Sequence, residues 1–154
     1  MNFRYLGLPV APFAELFGLN EPERAERGIR RVVADEKPGF PCRVTLEDAE
    51  PGERLLLLPF EHQPAHSPYR AAGPIFVREG QASTYDATEP PPVLKTRLLS
   101  ARAYGEDGMM VDAEVAEGRE IEPLLERLFA HPDTSYVHLH YARRGCYACR
   151  VERA

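Results

Sequence analysis

The residues best suited to chemistry lie near the end of the chain, in HLHYARRGCYACRVER at positions 138–153. His138 and His140 are separated by one residue, and Cys146 and Cys149 follow an Arg-Arg-Gly turn. A thiol beside an imidazole can act as a nucleophile with its base, and two imidazoles with a third donor can hold a metal ion. The same residues could also bind an anion or simply end a sheet.

This segment has the pattern of a β-hairpin. Gly145 suits the left-handed position of a three-residue loop, and that loop would pair Ala142 with Cys146. The same register places His138 opposite Arg150. A slip by one residue would mix apolar and polar side chains on both faces, so the pattern itself favours this register.

The predicted register sorts the side chains by face. One face would be apolar or aromatic, with Val137, Leu139, Tyr141, Tyr147, Cys149 and Val151. The opposite face would hold Tyr136, His138, His140, Ala148, Arg150 and Glu152. Cys146 would lie diagonal to His140, within reach of a side-chain contact. Because residues three apart in a strand point to opposite faces, Cys146 and Cys149 could form neither a disulfide nor a two-sulfur metal clamp.

The histidine face permits several functions. We expect it to bind a small anionic ligand, with His138 and Arg150 among the binding groups. The alternative is a thiol-dependent enzyme in which Cys146 is the nucleophile and His140 its base, with Arg150 or Arg144 stabilising the thiolate. A further alternative is a metal ion held by the two histidines and a third donor, which could be Cys146, His62 or His66. From spacing alone we expect no metal and no cofactor.

A second group of polar residues lies in EHQPAHSPYRAAGP, residues 61–74. His62 and His66 could add donors to a metal or anion site, and Arg70 can pair with a carboxylate or phosphate. The prolines of this segment predict a loop that leaves the buried strand RLLLLPF, residues 54–60. Binding groups often lie on loops that a rigid scaffold holds.

The composition describes an ordinary globular chain. Its 154 residues can bury a full core, so we expect a single domain over residues 1–154. The 44% hydrophobic and 28% charged residues fit a soluble protein, and the net charge of −5 argues against nucleic acid as a partner. No apolar run reaches the ~18 residues of a membrane span. Three cysteines and the lack of a secretory pattern indicate the cytoplasm.

Helix and strand patterns predict an α+β fold. Asn20 and Glu23 have the spacing of a capping box, and EIEPLLERLFAH at 120–131 carries an amphipathic stripe. Strand patterns dominate between these helices, and CRVTLE at 42–47 alternates apolar and polar residues. Short turns without βαβ alternation indicate a mostly antiparallel, curved sheet with two to three short helices packed against it. The long loop at 80–92 also permits a protein-interaction module.

Three stretches of the chain carry a family resemblance, and they are RRVVADEKPGFPCRVTLEDAEPGE (30–53), SPYRAAGPIFVRE (67–79) and GCYACRVER (145–153). They resemble a small bacterial family known as Domain of Unknown Function 1203. The resemblance extends from Phe3 to Arg153. It implies a single-domain protein of about this length and brings no activity, substrate or catalytic residue with it.

Overall fold

The structure, a computed structural model, describes residues 1–81 and 83–154. The strands are Phe3–Leu6 (β1), Arg30–Val33 (β2), Arg54–Gln63 (β3), Ala71–Arg78 (β4), Asp86–Ala87 (β5), Leu98–Tyr104 (β6), Met110–Glu117 (β7), Tyr136–Tyr141 (β8) and Tyr147–Arg153 (β9). The α-helices are Ala11–Ala14 (α1), Glu21–Glu26 (α2), Pro92–Lys95 (α3) and Ile121–Phe129 (α4). No helix within these two ranges is long and apolar enough to cross a membrane.

The strands form two antiparallel sheets. The larger sheet has the order β5-β1-β9-β8-β6-β7, and the smaller has the order β2-β3-β4. The predicted α+β class is therefore confirmed, with the strands divided between two sheets. The predicted capping box is also present. The Asn20 side chain accepts a hydrogen bond from the Glu23 backbone N–H, and the Glu23 carboxylate accepts one from the Asn20 backbone N–H.

Helix α4 covers one face of the larger sheet. Its apolar stripe consists of Ile121, Leu124, Leu125, Leu128 and Phe129. The three central strands contribute Leu99, Ala101, Ala103, Val137, Leu139, Cys149 and Val151 to this core. Since side chains alternate along a strand, the intervening residues of these strands lie on the opposite face. That face carries the polar residues of β6, β8 and β9.

The smaller sheet reaches this polar face through the end of β3. The strand continues to Gln63, whose side-chain amide donates to the Tyr136 hydroxyl over 2.9 Å. The predicted loop from residue 61 is therefore wrong for its first three residues, because β3 continues through them. His62 is therefore a residue of a strand, and it lies beside β8 rather than on a surface loop.

Two other predicted segments differ in the structure. Residues 42–47 form no strand, since the Leu46 N–H donates to the Cys42 carbonyl over 3.0 Å and Leu46 has a φ of 53°. Arg43, a polar position of the predicted alternation, is buried in this turn. The predicted loop at 80–92 contains Ala82, which lies outside the described residues. The later part of this segment is not entirely loop, because it contains β5, which pairs with β1, and because α3 begins at Pro92.

Candidate metal centre

Three of the five histidines converge on the polar face of the larger sheet. His138 and His140 are alternate residues of β8, so both lie on this face, and they are 2% and 1% exposed. His62 reaches it from β3, with its ring centroid 5.0 Å from that of His140 and 6.3 Å from that of His138. One ring nitrogen of each histidine lies within 4.8 Å of the other two. The three nitrogens can therefore serve one ion.

The imidazole cluster, defined as His62, His138 and His140, contains buried nitrogens that have no hydrogen-bond partner within residues 1–81 and 83–154. They are Nδ1 of His62, Nδ1 of His138 and Nε2 of His140. A buried polar atom without a partner costs about 1–3 kcal/mol, and such atoms are rare in native proteins. A metal ion that accepts the three lone pairs would remove this cost.

The hairpin loop orients one of the proposed ligands. Nδ1 of His140 lies 3.0 Å from the Gly145 carbonyl oxygen, so the ring N–H donates to that oxygen and leaves the lone pair on Nε2. Metal-binding histidines usually donate their other ring N–H to a carbonyl or carboxylate, which fixes the tautomer and the ring orientation. Gly145 has a φ of 82°, the left-handed conformation predicted for it.

Aromatic rings restrict the movement of the imidazoles. Tyr147 stacks on His62 with 5.2 Å between the ring centroids and 7° between the planes, and its centroid is 5.1 Å from that of His138. Tyr136 packs against His138 at 5.1 Å while its hydroxyl bonds to Gln63. These contacts tie β3 to the larger sheet at the cluster. The ligand geometry is therefore preorganised by packing.

Burial keeps the imidazoles neutral. Desolvation lowers the pKa of His138 to about 3 and the pKa of His140 to about 4. The positive charge of Arg102 contributes to both shifts, and the pKa of His62 is lowered by the same two causes. Neutral imidazole is the form that binds metal ions. At pH 7 the cluster can therefore bind a metal without first losing protons.

An arginine lies on each side of His138. Arg102 of β6 and Arg150 of β9 are its direct cross-strand neighbours. Arg150 donates to Glu152 over 2.7 Å, whereas the Nε of Arg102 donates to the Ser100 hydroxyl over 3.2 Å. Arg102 forms no ion pair with the described part of the chain. It therefore leaves positive charge beside the cluster that an anion could neutralise.

Acid is expected to destabilise the metal-free protein. Because the pKa values of His138 and His140 are about 3 and 4 in the folded chain against an ordinary 6.5, the unfolded chain takes up protons that the folded chain excludes. Their contribution to stability is complete above pH 6.5. It is lost as the pH falls from 6.5 towards 4, by up to about 1.4 kcal/mol per pH unit for each histidine.

Urea denaturation of the metal-stripped protein at pH 5 and pH 7 measures this loss. In the His138→Leu variant the free energy of unfolding should fall less between the two pH values, because one of the three histidines with a lowered pKa is gone. An equal fall in the wild type and the variant would contradict the assignment.

The remaining residues predicted from the sequence lie outside the cluster. His66 is exposed, and Arg70 is exposed and paired with a neighbouring glutamate over 3.1 Å. The sulfur of Cys146 accepts a hydrogen bond from Arg43 over 3.1 Å, and neither ring nitrogen of His140 bonds to it. The structure therefore brings together His62, His138 and His140, and His66 is not part of this group. A catalytic pair of Cys146 and His140 stays a prediction.

The two cysteines of the last hairpin have different surroundings. Cys149 is fully buried beneath α4, and burial raises the pKa of its thiol to about 12. Cys146 is partly exposed. Both thiols are free, although Cys146 lies in the loop before β9 and not in the strand that the sequence predicts for it.

A β-bulge changes the predicted register of this hairpin. The pairs as predicted are Val137–Val151, His138–Arg150 and Leu139–Cys149. Beyond them His140 pairs with Tyr147 rather than with Ala148, which becomes the extra residue of the bulge. The cause is a longer loop, which the Tyr141 N–H closes by donating to the Cys146 carbonyl over 2.9 Å. The predicted place of Tyr147 on the apolar face is therefore wrong, and its ring joins the histidines.

Residues 39–153 match the model of a protein family that is described as a protein of unknown function (DUF1203). The chain belongs to the DUF1203 family. No curated protein and no solved structure matches it. The range matched in this DUF1203 protein contains all three histidines of the cluster and Arg102. The candidate site therefore lies wholly within the range that the family model matches.

Sequence patterns miss three residues that surround the cluster. Arg102 could have been found from its place in the strand pattern LLSARAY, where it alternates with residues of the core. Tyr147 could not, because its face depends on the bulge. Arg43 could not either, since its partners Tyr147 and Cys146 lie more than a hundred residues away along the chain.

Proposed function

We propose that this DUF1203 protein binds a divalent transition-metal ion through His62, His138 and His140. The observation that carries the proposal is the convergence of three imidazoles, with one ring nitrogen of each within 4.8 Å of the other two. Each imidazole also has a buried ring nitrogen without a hydrogen-bond partner in the described part of the chain. Imidazole suits zinc, copper, iron and nickel, and three histidines are the protein ligands of some catalytic zinc sites. Three ligands leave the fourth position of a tetrahedral ion for water or a small molecule.

The fourth ligand is a small anion. Support comes from the charge around the cluster, where Arg102 lies beside His138 without an ion pair to any described residue, and no carboxylate is among the proposed ligands. A divalent ion held by neutral imidazoles beside this guanidinium group would leave excess positive charge in a site of low dielectric constant. An anion on the metal reduces that charge, and Arg102 can donate hydrogen bonds to it. The anionic ligand expected from the sequence is thus proposed to bind on the metal.

Calorimetric titration of the metal-stripped full chain with Zn²⁺ and Co²⁺ tests the proposal. One ion per chain is expected. His62→Ala and His140→Ala should each weaken binding by at least about 100-fold, because loss of an outer partner alone typically costs about 10–100-fold. The matched controls are His66→Ala and His131→Ala, which remove exposed imidazoles outside the cluster. They should bind as the wild type does.

The partly exposed thiol of Cys146 needs a separate control, because thiolates also bind zinc. Cys146→Ser is expected to keep wild-type affinity. The proposal fails if the stripped chain binds none of Zn²⁺, Co²⁺, Ni²⁺ and Cu²⁺, or if Cys146→Ser loses binding while the His62 and His140 variants keep it. Circular dichroism of each variant shows that the change is in the site and not in folding.

A further inference from the structure

A second possible site is a cavity of about 520 Å³ beside the loop that joins β8 and β9. Its wall includes Arg43, Arg97, Tyr141, Arg143, Arg144 and Cys146. The volume is within the range of about 300–1,000 Å³ that is usual for small-molecule pockets. None of the three histidines lines it. The cavity is therefore a site distinct from the proposed metal centre.

The wall of the cavity is strongly positive. It contains four arginines and one acidic residue, Glu36. Arg97 is neutralised by Asp48, to which its two terminal nitrogens donate over 2.9 and 2.7 Å. The other three arginines form no ion pair with any described residue. In a chain with a net charge of −5 this is a local concentration of unpaired positive charge.

Arg43 is the most buried of these cations, at 1% exposure. Its guanidinium group donates to the carbonyls of Tyr147 and Pro41 over 2.7 and 2.6 Å and to the Cys146 sulfur over 3.1 Å. These bonds hold the group in one position without supplying a carboxylate to balance its charge. A buried charge without a counter-charge is costly, and an anion in the adjoining cavity would reduce that cost.

Tyr141 adds a second indication of a ligand. Two guanidinium groups contact its ring, with the Cζ of Arg43 5.0 Å and the Cζ of Arg97 5.1 Å from the ring centroid. Its hydroxyl is buried, and no described residue forms a hydrogen bond with it. The wall also has an apolar part that includes Phe40, Phe76 and Leu98. A ligand that fits this wall has an anionic end and an apolar body.

We infer that this cavity binds a small organic anion, a carboxylate or phosphate monoester with an apolar or aromatic group. The anionic end lies against Arg43, Arg143 and Arg144, where guanidinium groups can donate paired hydrogen bonds to its oxygens. The apolar end lies against Phe40 and Phe76. This site does not depend on the metal.

The test is calorimetric titration of the full chain with phenyl phosphate, benzoate and the neutral analogue benzamide. At least one anion is expected to bind, and benzamide at least tenfold more weakly. The double variant Arg143→Gln with Arg144→Gln removes two exposed charges of the wall and should weaken anion binding at least tenfold. The matched control is Arg27→Gln with Arg30→Gln, which makes the same charge change at exposed positions outside the cavity.

Three results would overturn the inference. They are binding of neither anion at 10 mM, benzamide binding as tightly as benzoate, and equal weakening by the two double variants. The titrations are repeated on the metal-stripped wild-type chain, where anion binding should be unchanged. Failure of the metal proposal and failure of this one are therefore distinguishable.

Discussion

A saturating transition-metal ion is expected to raise the Tm of the metal-stripped chain by roughly 8–16 °C. At a concentration about a thousand times its Kd, a ligand that binds the folded state alone stabilises that state by about 4.1 kcal/mol. In a chain of this size, 1 kcal/mol shifts the Tm by about 2–4 °C. The ligands His62 and His140 come from two strands, β3 and β8, in different sheets. Because only the folded chain brings them together, the binding energy appears as stability.

Thermal denaturation with and without Zn²⁺ measures the shift. The His138→Gln variant should lose most of it, whereas His131→Gln should retain it in full, because His131 is exposed and outside the cluster. A shift of the same size in both variants would mean that the metal binds elsewhere. No shift in the wild type would mean that the cluster holds no metal.

Replacing Arg43 by Met is expected to lower the free energy of unfolding by roughly 2–6 kcal/mol, because two carbonyls in a buried region lose their donors and each loss costs about 1–3 kcal/mol. The carbonyls belong to Pro41, in the turn beside the smaller sheet, and to Tyr147, at the start of β9. Arg43 thus links the two sheets beside the imidazole cluster. Its contact with the Tyr141 ring is lost as well.

Urea denaturation monitored by circular dichroism measures this change. Arg143→Met is the matched control, since Arg143 is exposed and most such surface substitutions change stability by no more than about 0.5 kcal/mol. If Arg43→Met is as stable as the control, the link between the sheets is not formed as described. The metal-stripped protein is used for both variants, so that any change in metal affinity does not contribute.

Local patterns predict those parts of the fold that local interactions determine. The stripe of α4 and the capping box at Asn20 depend on residues three or four apart, and both are present. The alternation in β8 and β9 places His138 opposite Arg150 correctly. The α+β class follows because short turns between strands favour antiparallel pairing.

The errors arise where distant contacts decide the structure. Residues 42–47 alternate like a strand, yet they turn because Arg43 bonds to the far end of the chain. The prolines of the segment at 61–74 predict a loop from residue 61. The strand β3 nevertheless continues to Gln63, and Pro64 follows it. Gln63 pairs with Tyr136, 73 residues away, and no local pattern reports such a contact.

The site shows the same division. Sequence spacing identifies His138 and His140 as residues of one face and includes His62 among the possible third donors. It cannot choose His62 over His66 or Cys146, because that choice depends on how β3 packs against β8. The expectation that an anion is bound without a metal came from spacing alone. The convergence of the three imidazoles is a property of the packed sheets, and it supports the metal instead.

X-ray absorption spectroscopy of the zinc-loaded full chain is the most direct test of the metal centre. Three imidazole nitrogens at about 2.0–2.1 Å and one further light atom are expected around the ion. A sulfur at about 2.3 Å would mean that Cys146 or another thiol is a ligand, and a shell of oxygens without imidazole would mean that the ion lies elsewhere. Either result would contradict a centre formed by His62, His138 and His140.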